Sequence, residues 1–105
     1  MEKTVKIGLL GCGTVGGGVI IVLNENKEEI AKKAGCNIEI KTVLVRDKTK
    51  LKPEITKYTI GCTDNLDDIL NDPEIDIVVE LIGRVHPAKE YIEAAINHGK
   101  SVIND

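Results

Sequence analysis

Residues 5–10 (VKIGLL) are almost wholly apolar and stop at Gly11, the pattern of a strand buried on both faces in a parallel sheet. Beyond a cluster of glycines, Val15, Val19, Val22, Leu23, Ile30 and Ala34 recur at spacings of three, four and seven. That spacing predicts one amphipathic helix over 15–34, ended by Gly35 in the C′ position. Glu28 with Lys32 and Glu29 with Lys33 are i,i+4 pairs in the favourable order, so the second half of this helix has a solvent face. Gly16, Gly17 and Gly18 fall in its first turns, where each glycine costs about 1 kcal/mol relative to alanine, so something other than helix stability selects them.

Residues 38–45 (IEIKTVLV) alternate and then become continuously apolar, a second strand entering the middle of a sheet. A polar, lysine-rich loop follows over 46–54, and 55–60 is a weak, short edge strand. Asp64 is placed to cap a short helix over 65–70, with Asp67 and Asp68 near the positive end of its dipole. Residues 75–82 (IDIVVELI) read as a third strong strand. Pro87 then opens a helix whose apolar stripe is Ala88, Tyr91, Ile92, Ala95 and Ile96 and which Gly99 closes, and 101–104 (SVIN) begin another strand. Strand alternating with helix demands parallel pairing through right-handed crossovers. The expected fold is α/β, a Rossmann-type doubly wound parallel sheet forming a single domain over 1–105.

Composition narrows the possible functions. With 105 residues, the chain is one domain, about half of what a two-domain dehydrogenase or transferase usually needs, and so a single unit or a fragment. Hydrophobic residues at 42% and charged ones at 30% suit a soluble globular protein. Fourteen Lys and Arg against 17 Asp and Glu give a net charge of -3, and Tyr58 and Tyr91 are the only aromatics, which argues against a nucleic-acid partner. No apolar run approaches the roughly 20 residues of a membrane helix, and MEKTVKI lacks the apolar core of a signal peptide, so no membrane is expected and the location is cytoplasmic. Cys12, Cys36 and Cys62 are odd in number and without a CxxC, the usage of small semi-buried residues in a reducing compartment and not of a disulfide framework or a metal site.

The chemistry lies in GCGTVG, residues 11–16, between the first strand and the first helix. In a dinucleotide site Gly11 permits the tight turn, Gly13 lets the backbone approach the pyrophosphate and Gly16 lets helix pack on strand, while the helix N-terminus offers free N–H groups and a positive dipole. A turn that serves packing alone would explain Gly16 but not Gly13. Cys12 fits as a small filler between two motif glycines and not as a nucleophile. At the end of the second strand, where an NAD site usually holds Asp or Glu, stands Arg46, followed by Asp47, Lys48 and Lys50. A guanidinium fork there suits a 2′-phosphate, which favours NADP while leaving NAD possible; the alternative is that Arg46 pairs with Asp47 or solvent. His86 reads as the cap before Pro87, His98 suits the C-terminal end of its helix, and Glu80 faces either a polar neighbour or the cofactor cleft.

The runs IGLLGCGTVGGGV, LVRDK, DIVVELIG with a following PA, and HGKSVI resemble the N-terminal cofactor domain of homoserine dehydrogenases over nearly the whole chain. The resemblance implies a parent enzyme that reversibly interconverts L-aspartate 4-semialdehyde and L-homoserine, on the route to threonine and methionine. It implies that Gly11, Cys12, Gly13, Thr14, Val15 and Gly16 wrap the pyrophosphate, that Arg46 meets the adenosine phosphate, and that Ile82 and Gly83 border the nicotinamide ribose. Two positions depart from the family pattern. Arg84 stands where a second glycine usually follows ELIG, and the chain stops at Asn104-Asp105, short of an Asn-Lys segment whose lysine takes part in proton transfer. The expectation is therefore an excised cofactor domain without a catalytic residue, inactive alone, with the amino-acid substrate and homo-oligomer contacts belonging to the full-length protein. A related amino-acid dehydrogenase, such as an aspartate dehydrogenase, and a non-catalytic nucleotide-sensing module are the alternatives.

Overall fold

The computed structural model describes residues 3–11, 14–46, 57–58, 60–81 and 88–104, with the backbone alone at 14–17, 88 and 104. Five strands run β1 Thr4–Leu10, β2 Asn37–Leu44, β3 Gly61–Thr63, β4 Ile75–Glu80 and β5 Ser101–Asn104. Among the described residues the helices of four residues or more are α1 Thr14–Glu25, α2 Lys27–Ala34, α3 Asp67–Leu70 and α4 Ala88–Asn97. All pairings are parallel, in the order β3-β2-β1-β4-β5. The expected doubly wound α/β sheet is present.

Its two apolar faces explain why the central strands read as continuous hydrophobic runs. Along β1, Ile7 and Leu9 join Ile20 of α1 with Ile40 and Val43 of β2 in one cluster. Leu10 joins the opposite cluster with Leu44, Ile69 and Leu70 of α3, Ile75, Val78 and Ala95 of α4. Gly8 is on that second face, and a methyl placed on it would stand 2.6 Å from Ile69 Cγ2, so helix-to-strand contact at this point depends on the missing side chain.

Several boundaries differ from the sequence expectation, those of β1 and β2 by a single residue. The single helix over 15–34 is two helices, because Asn26 leaves helical geometry (φ −111°, ψ 26°). Its side-chain amide donates to Val22 O at 3.1 Å, the kind of local competition with the backbone that makes Asn unfavourable inside helices. The break also rotates the apolar face: Ile20 and Ala31 are buried, whereas Val22 is 53% exposed and Ala34 is exposed. The edge strand expected over 55–60 is β3, a few residues later, while Lys57 and Tyr58 sit in a helical turn; Ile55, Thr56 and Thr59 lie outside the described residues. The strand expected over 75–82 stops at Glu80.

At α3 the cap is not Asp64. Asn65 Oδ1 accepts the Asp67 N–H at 3.0 Å, and Thr63 Oγ1 accepts the Asn65 N–H at 3.0 Å, so two successive side-chain turns start a helix that runs only Asp67–Leu70. In α4, Tyr91 and Ala95 face the core as expected, Ala94 joins them and Ile96 is 57% exposed. Its end is a Schellman motif: Gly99 is left-handed at φ 78° and donates to Ile96 O, while Lys100 N–H reaches Ala95 O. Gly35 ends α2 in the same left-handed conformation.

Both neighbours of β1 carry an extra residue opposite its middle. Between Ile7 and Gly8 the register on β2 passes over Lys41, and between Lys6 and Ile7 the register on β4 passes over Asp76. These bulged positions hold charge. Asp76 Oδ2 accepts the Lys6 N–H at 3.3 Å, and Lys41 Nζ reaches Asp72 Oδ2 at 2.5 Å in the turn before β4.

Candidate functional site

The ends of β3, β2, β1 and β4 are laced by main-chain hydrogen bonds at one edge of the sheet. Val45 N–H donates to Thr63 O at 2.8 Å, Gly11 N–H to Leu44 O at 3.1 Å and Leu81 N–H to Leu10 O at 3.0 Å. From β1 the chain moves outward to β2 and β3, then returns to place β4 on the other side of β1. The crevice over β1 and β4 is therefore the topological switch point, where ligands of open parallel sheets bind.

Gly11 turns the chain there at φ 93°, a region that side chains with a Cβ rarely adopt. α1 starts at Thr14, so Thr14, Val15 and Gly16 form its first turn, which holds no acidic residue. Its first N–H groups lack intrahelical partners, and its dipole presents positive charge to the same edge. A left-handed glycine at the end of the first strand followed by an acid-free helix N-terminus fits the pyrophosphate of a dinucleotide. Gly18 is different: a Cβ on it meets nothing within 4 Å, so packing does not demand a glycine there. Cys12, Gly13, Ile82 and Gly83 lie outside the described residues, as does His86.

Arg46 is exposed immediately after Val45, at the same edge, and makes no ion pair among the described residues. Its alternative partner Asp47 lies outside them. Glu80, which the sequence left with two possible orientations, is 2% exposed and stands in register with Leu10 and Asn104, so it lies on the face that α3 and α4 cover. His98 holds its ring Nδ1 2.7 Å from Ala94 O, where an N–H donates to one of the last carbonyls of α4.

Sequence reasoning missed Thr63. It is 4% exposed at the end of β3, and its hydroxyl accepts the Asn65 N–H while donating to Asp68 Oδ2 at 2.5 Å. The signal was present as Thr-Asp-Asn over 63–65, three capping residues in a row, but spacing alone does not say which of them caps. Among the described residues no group of His, Cys, Asp or Glu is arranged to hold a metal ion, Cys36 and Cys62 are free thiols, and no helix is long and apolar enough to cross a membrane.

The profile of one protein family, described as homoserine dehydrogenase, NAD binding domain, matches residues 11–104. The chain belongs to that family. The homoserine dehydrogenase of Methylobacillus glycogenes is 48% identical over 101 residues, which are 96% of this chain and 24% of that protein. Crystal structures of the homoserine dehydrogenases of Thiobacillus denitrificans and S. aureus match with TM-scores of 0.86 and 0.87 at 46% and 38% identity, over 97% of this chain and 23% and 26% of theirs. An NAD binding oxidoreductase from Klebsiella pneumoniae, at a TM-score of 0.79 and 20% identity, shares the fold. The chain thus spans 24% and 23% of the length of the first two curated relatives it matches. It is the NAD-binding domain of the homoserine dehydrogenase family, and its cofactor is a dinucleotide.

Proposed function

We propose that this chain, as one domain over 1–105, is the cofactor-binding part of a cytoplasmic homoserine dehydrogenase that prefers NADP(H) to NAD(H). The observation that carries the cofactor preference is Arg46, exposed beyond β2 where an NAD-specific site presents an acid. A guanidinium has the fork geometry for a 2′-phosphate, and a carboxylate would repel it. Gly11, Cys12, Gly13, Thr14, Val15 and Gly16 are assigned to the pyrophosphate, and Ile82 and Gly83 to the nicotinamide ribose.

The parent reaction in this reading is the reversible interconversion of L-aspartate 4-semialdehyde and L-homoserine. The nicotinamide supplies or accepts the hydride when bound. The residues of this chain bind the cofactor, orient it over the ends of β1 and β4, and leave the substrate, the proton-transferring group and the homo-oligomer contacts to the full-length protein. Support comes from the family match over 11–104 together with the small share of its relatives that the chain spans.

Calorimetric titration with NADPH and NADH tests it. A charge-assisted hydrogen bond contributes about 1.5–3 kcal/mol, so Arg46→Ala weakens NADPH roughly 10- to 100-fold and leaves NADH nearly unchanged. Equal losses for both cofactors remove Arg46 from the phosphate site.

A further inference from the structure

We infer that Thr63 is a positioning residue for cofactor discrimination, acting on Arg46 through the main chain of Val45. This rests on the reading of Arg46 as the residue that meets the 2′-phosphate. Arg46 itself is exposed, and a long side chain free in water loses much of its binding advantage to rotamer entropy unless its root is held. The root is held from β3. Thr63 pairs with Leu44 in the β2–β3 register, and its carbonyl accepts the Val45 N–H at 2.8 Å, one residue before Arg46.

What fixes that carbonyl is the Thr63 side chain. The hydroxyl accepts the Asn65 N–H at 3.0 Å and donates to Asp68 Oδ2 at 2.5 Å; Asn65 O, at 3.3 Å, is a second and poorer acceptor for the same single proton. These bonds lock the side-chain rotamer and the backbone direction of a residue that is 4% exposed. β3 has three residues and pairs only with β2 among the described strands, so the ladder alone gives it little stiffness. Asp68 is on α3, which Ile69 and Leu70 anchor in the core. The line of constraint runs from the core through Asp68, Thr63 and Val45 to the start of Arg46, while on the other side of Leu44 its carbonyl takes the Gly11 N–H. Position at the phosphate end is set by the same lacing that sets the glycine turn.

A cap for α3 would account for the hydroxyl without any link to cofactor, so the test reads the NADPH-to-NADH affinity ratio and not stability alone. In the 105-residue chain, Thr63→Val keeps shape and removes the hydroxyl, Thr63→Ser restores it, and Asp68→Ala removes the acceptor from the solvent-exposed side. The expected result is a fall of about 3- to 10-fold in NADPH affinity for Thr63→Val, the equivalent of one lost hydrogen bond, with NADH within about twofold and Thr63→Ser close to the parent. Asp68→Ala moves the ratio in the same direction and decides the matter if Thr63→Val does not fold. In an Arg46→Ala background, Thr63→Val has no further effect on the ratio. If Arg46→Ala leaves the ratio unchanged, the Arg46 reading and this inference fall together. If Arg46→Ala collapses the ratio while folded Thr63→Val or Asp68→Ala preserves it, only the positioning role is overturned.

Discussion

Replacing Gly8 by alanine adds one methyl to the middle of β1, and the structure says where it goes. It would stand 2.6 Å from Ile69 Cγ2, 3.3 Å from Ile75 Cγ2 and 3.4 Å from Ile75 Cδ1. Carbon atoms in contact prefer about 3.5–4.0 Å, so the first distance is a collision and the other two are tight. Ile69 has no exposed surface and Ile75 is 2% exposed, and each is packed among Leu10, Leu44, Leu70 and Val78, so neither side chain has open space to enter. Overpacking a core by one methylene costs about 1–3 kcal/mol, against about 0.4–1 kcal/mol gained by restricting the unfolded chain, for a net loss of about 1–2 kcal/mol. At about 4–8 °C per kcal/mol for a domain this size, Gly8→Ala lowers the melting temperature by about 4–16 °C. Gly18→Ala is the matched control, because its Cβ meets nothing within 4 Å and a helix gains up to about 1 kcal/mol from the exchange. Thermal and urea melts of both variants read the difference, and the double variant Gly8→Ala/Ile69→Ala shows a non-additive loss. A Gly8→Ala chain as stable as the parent refutes the argument that β1 and α3 approach through the missing side chain.

Stability also depends on pH. The hydrogen bond from Lys41 holds the Asp72 carboxyl below its ordinary value of 3.8, and the one from Lys6 holds Glu74 below 4.5, so their contribution is present above those values and is lost as pH falls through the lowered folded ones. Lys6 and Lys41 are raised above 10.5 by the same bonds to Glu74 and Asp72, so their contribution holds below that value and goes as pH rises through the raised ones. Melting temperature against pH is expected to fall less steeply on acidification for Glu74→Gln than for the parent, and parallel curves would refute the assignment. Gly13→Val is expected to abolish NADPH binding with circular dichroism unchanged, since the pyrophosphate needs the space; normal binding would make the turn a packing device only. The chain alone is expected to show no NADPH formation with homoserine and NADP, because holding the second substrate is worth roughly 7–11 kcal/mol of barrier and a positioned acid or base a further ~10²–10⁴-fold. Turnover measured by absorbance would place chemistry on a residue such as Glu80.

Most of the fold was legible because β1, β2 and β4 contribute apolar residues to both faces of the sheet and so read as mostly apolar runs, and because Gly11, Gly35 and Gly99 mark turns with positive φ. Periodicity failed where a polar side chain intervened. Asn26 breaks one predicted helix into two where its φ and ψ leave the helical region, and no spacing of apolar residues records that break. β3 was displaced because three residues on one neighbour need little hydrophobic pattern of their own. The bulges at Lys41 and Asp76 were invisible for a related reason: the side chain of each bonds to a residue far along the chain, Lys41 to the Asp72 carboxylate and Asp76 to the main-chain N–H of Lys6. Of the candidate site, the turn at Gly11 and the place of Arg46 just beyond β2 were readable from residue type and order, whereas Thr63 acts through a backbone carbonyl whose partner, Val45, is 18 positions away in the numbering.

The two ends of the sheet use different materials, and this separates stability from binding. Toward the N-terminal ends of the strands, charges pair with each other: Lys6 with Glu74 at 2.6 Å, Lys41 with Asp72 at 2.5 Å, while Lys100 Nζ donates to the carbonyls of Asp72 and Ile75 at 2.8 Å each. Lysines engaged in this way do not compete for an anionic ligand, and they tie the start of β4 to β1 and β2 and the start of β5 to β4. At the C-terminal ends the strands are tied through main-chain groups, which leaves the first N–H groups of α1 open to an anion and the Arg46 side chain exposed, as the proposed 2′-phosphate contact requires. An edge that must receive an anion cannot spend its donors on holding the sheet together. Substitutions therefore divide by end: Glu74→Gln shifts melting with cofactor affinity unchanged in the folded chain, and Gly13→Val and Arg46→Ala shift affinity with melting of the free chain unchanged. A variant from either end that moved both quantities together would show that the sheet transmits strain along its strands from the ion pairs to the glycine turn.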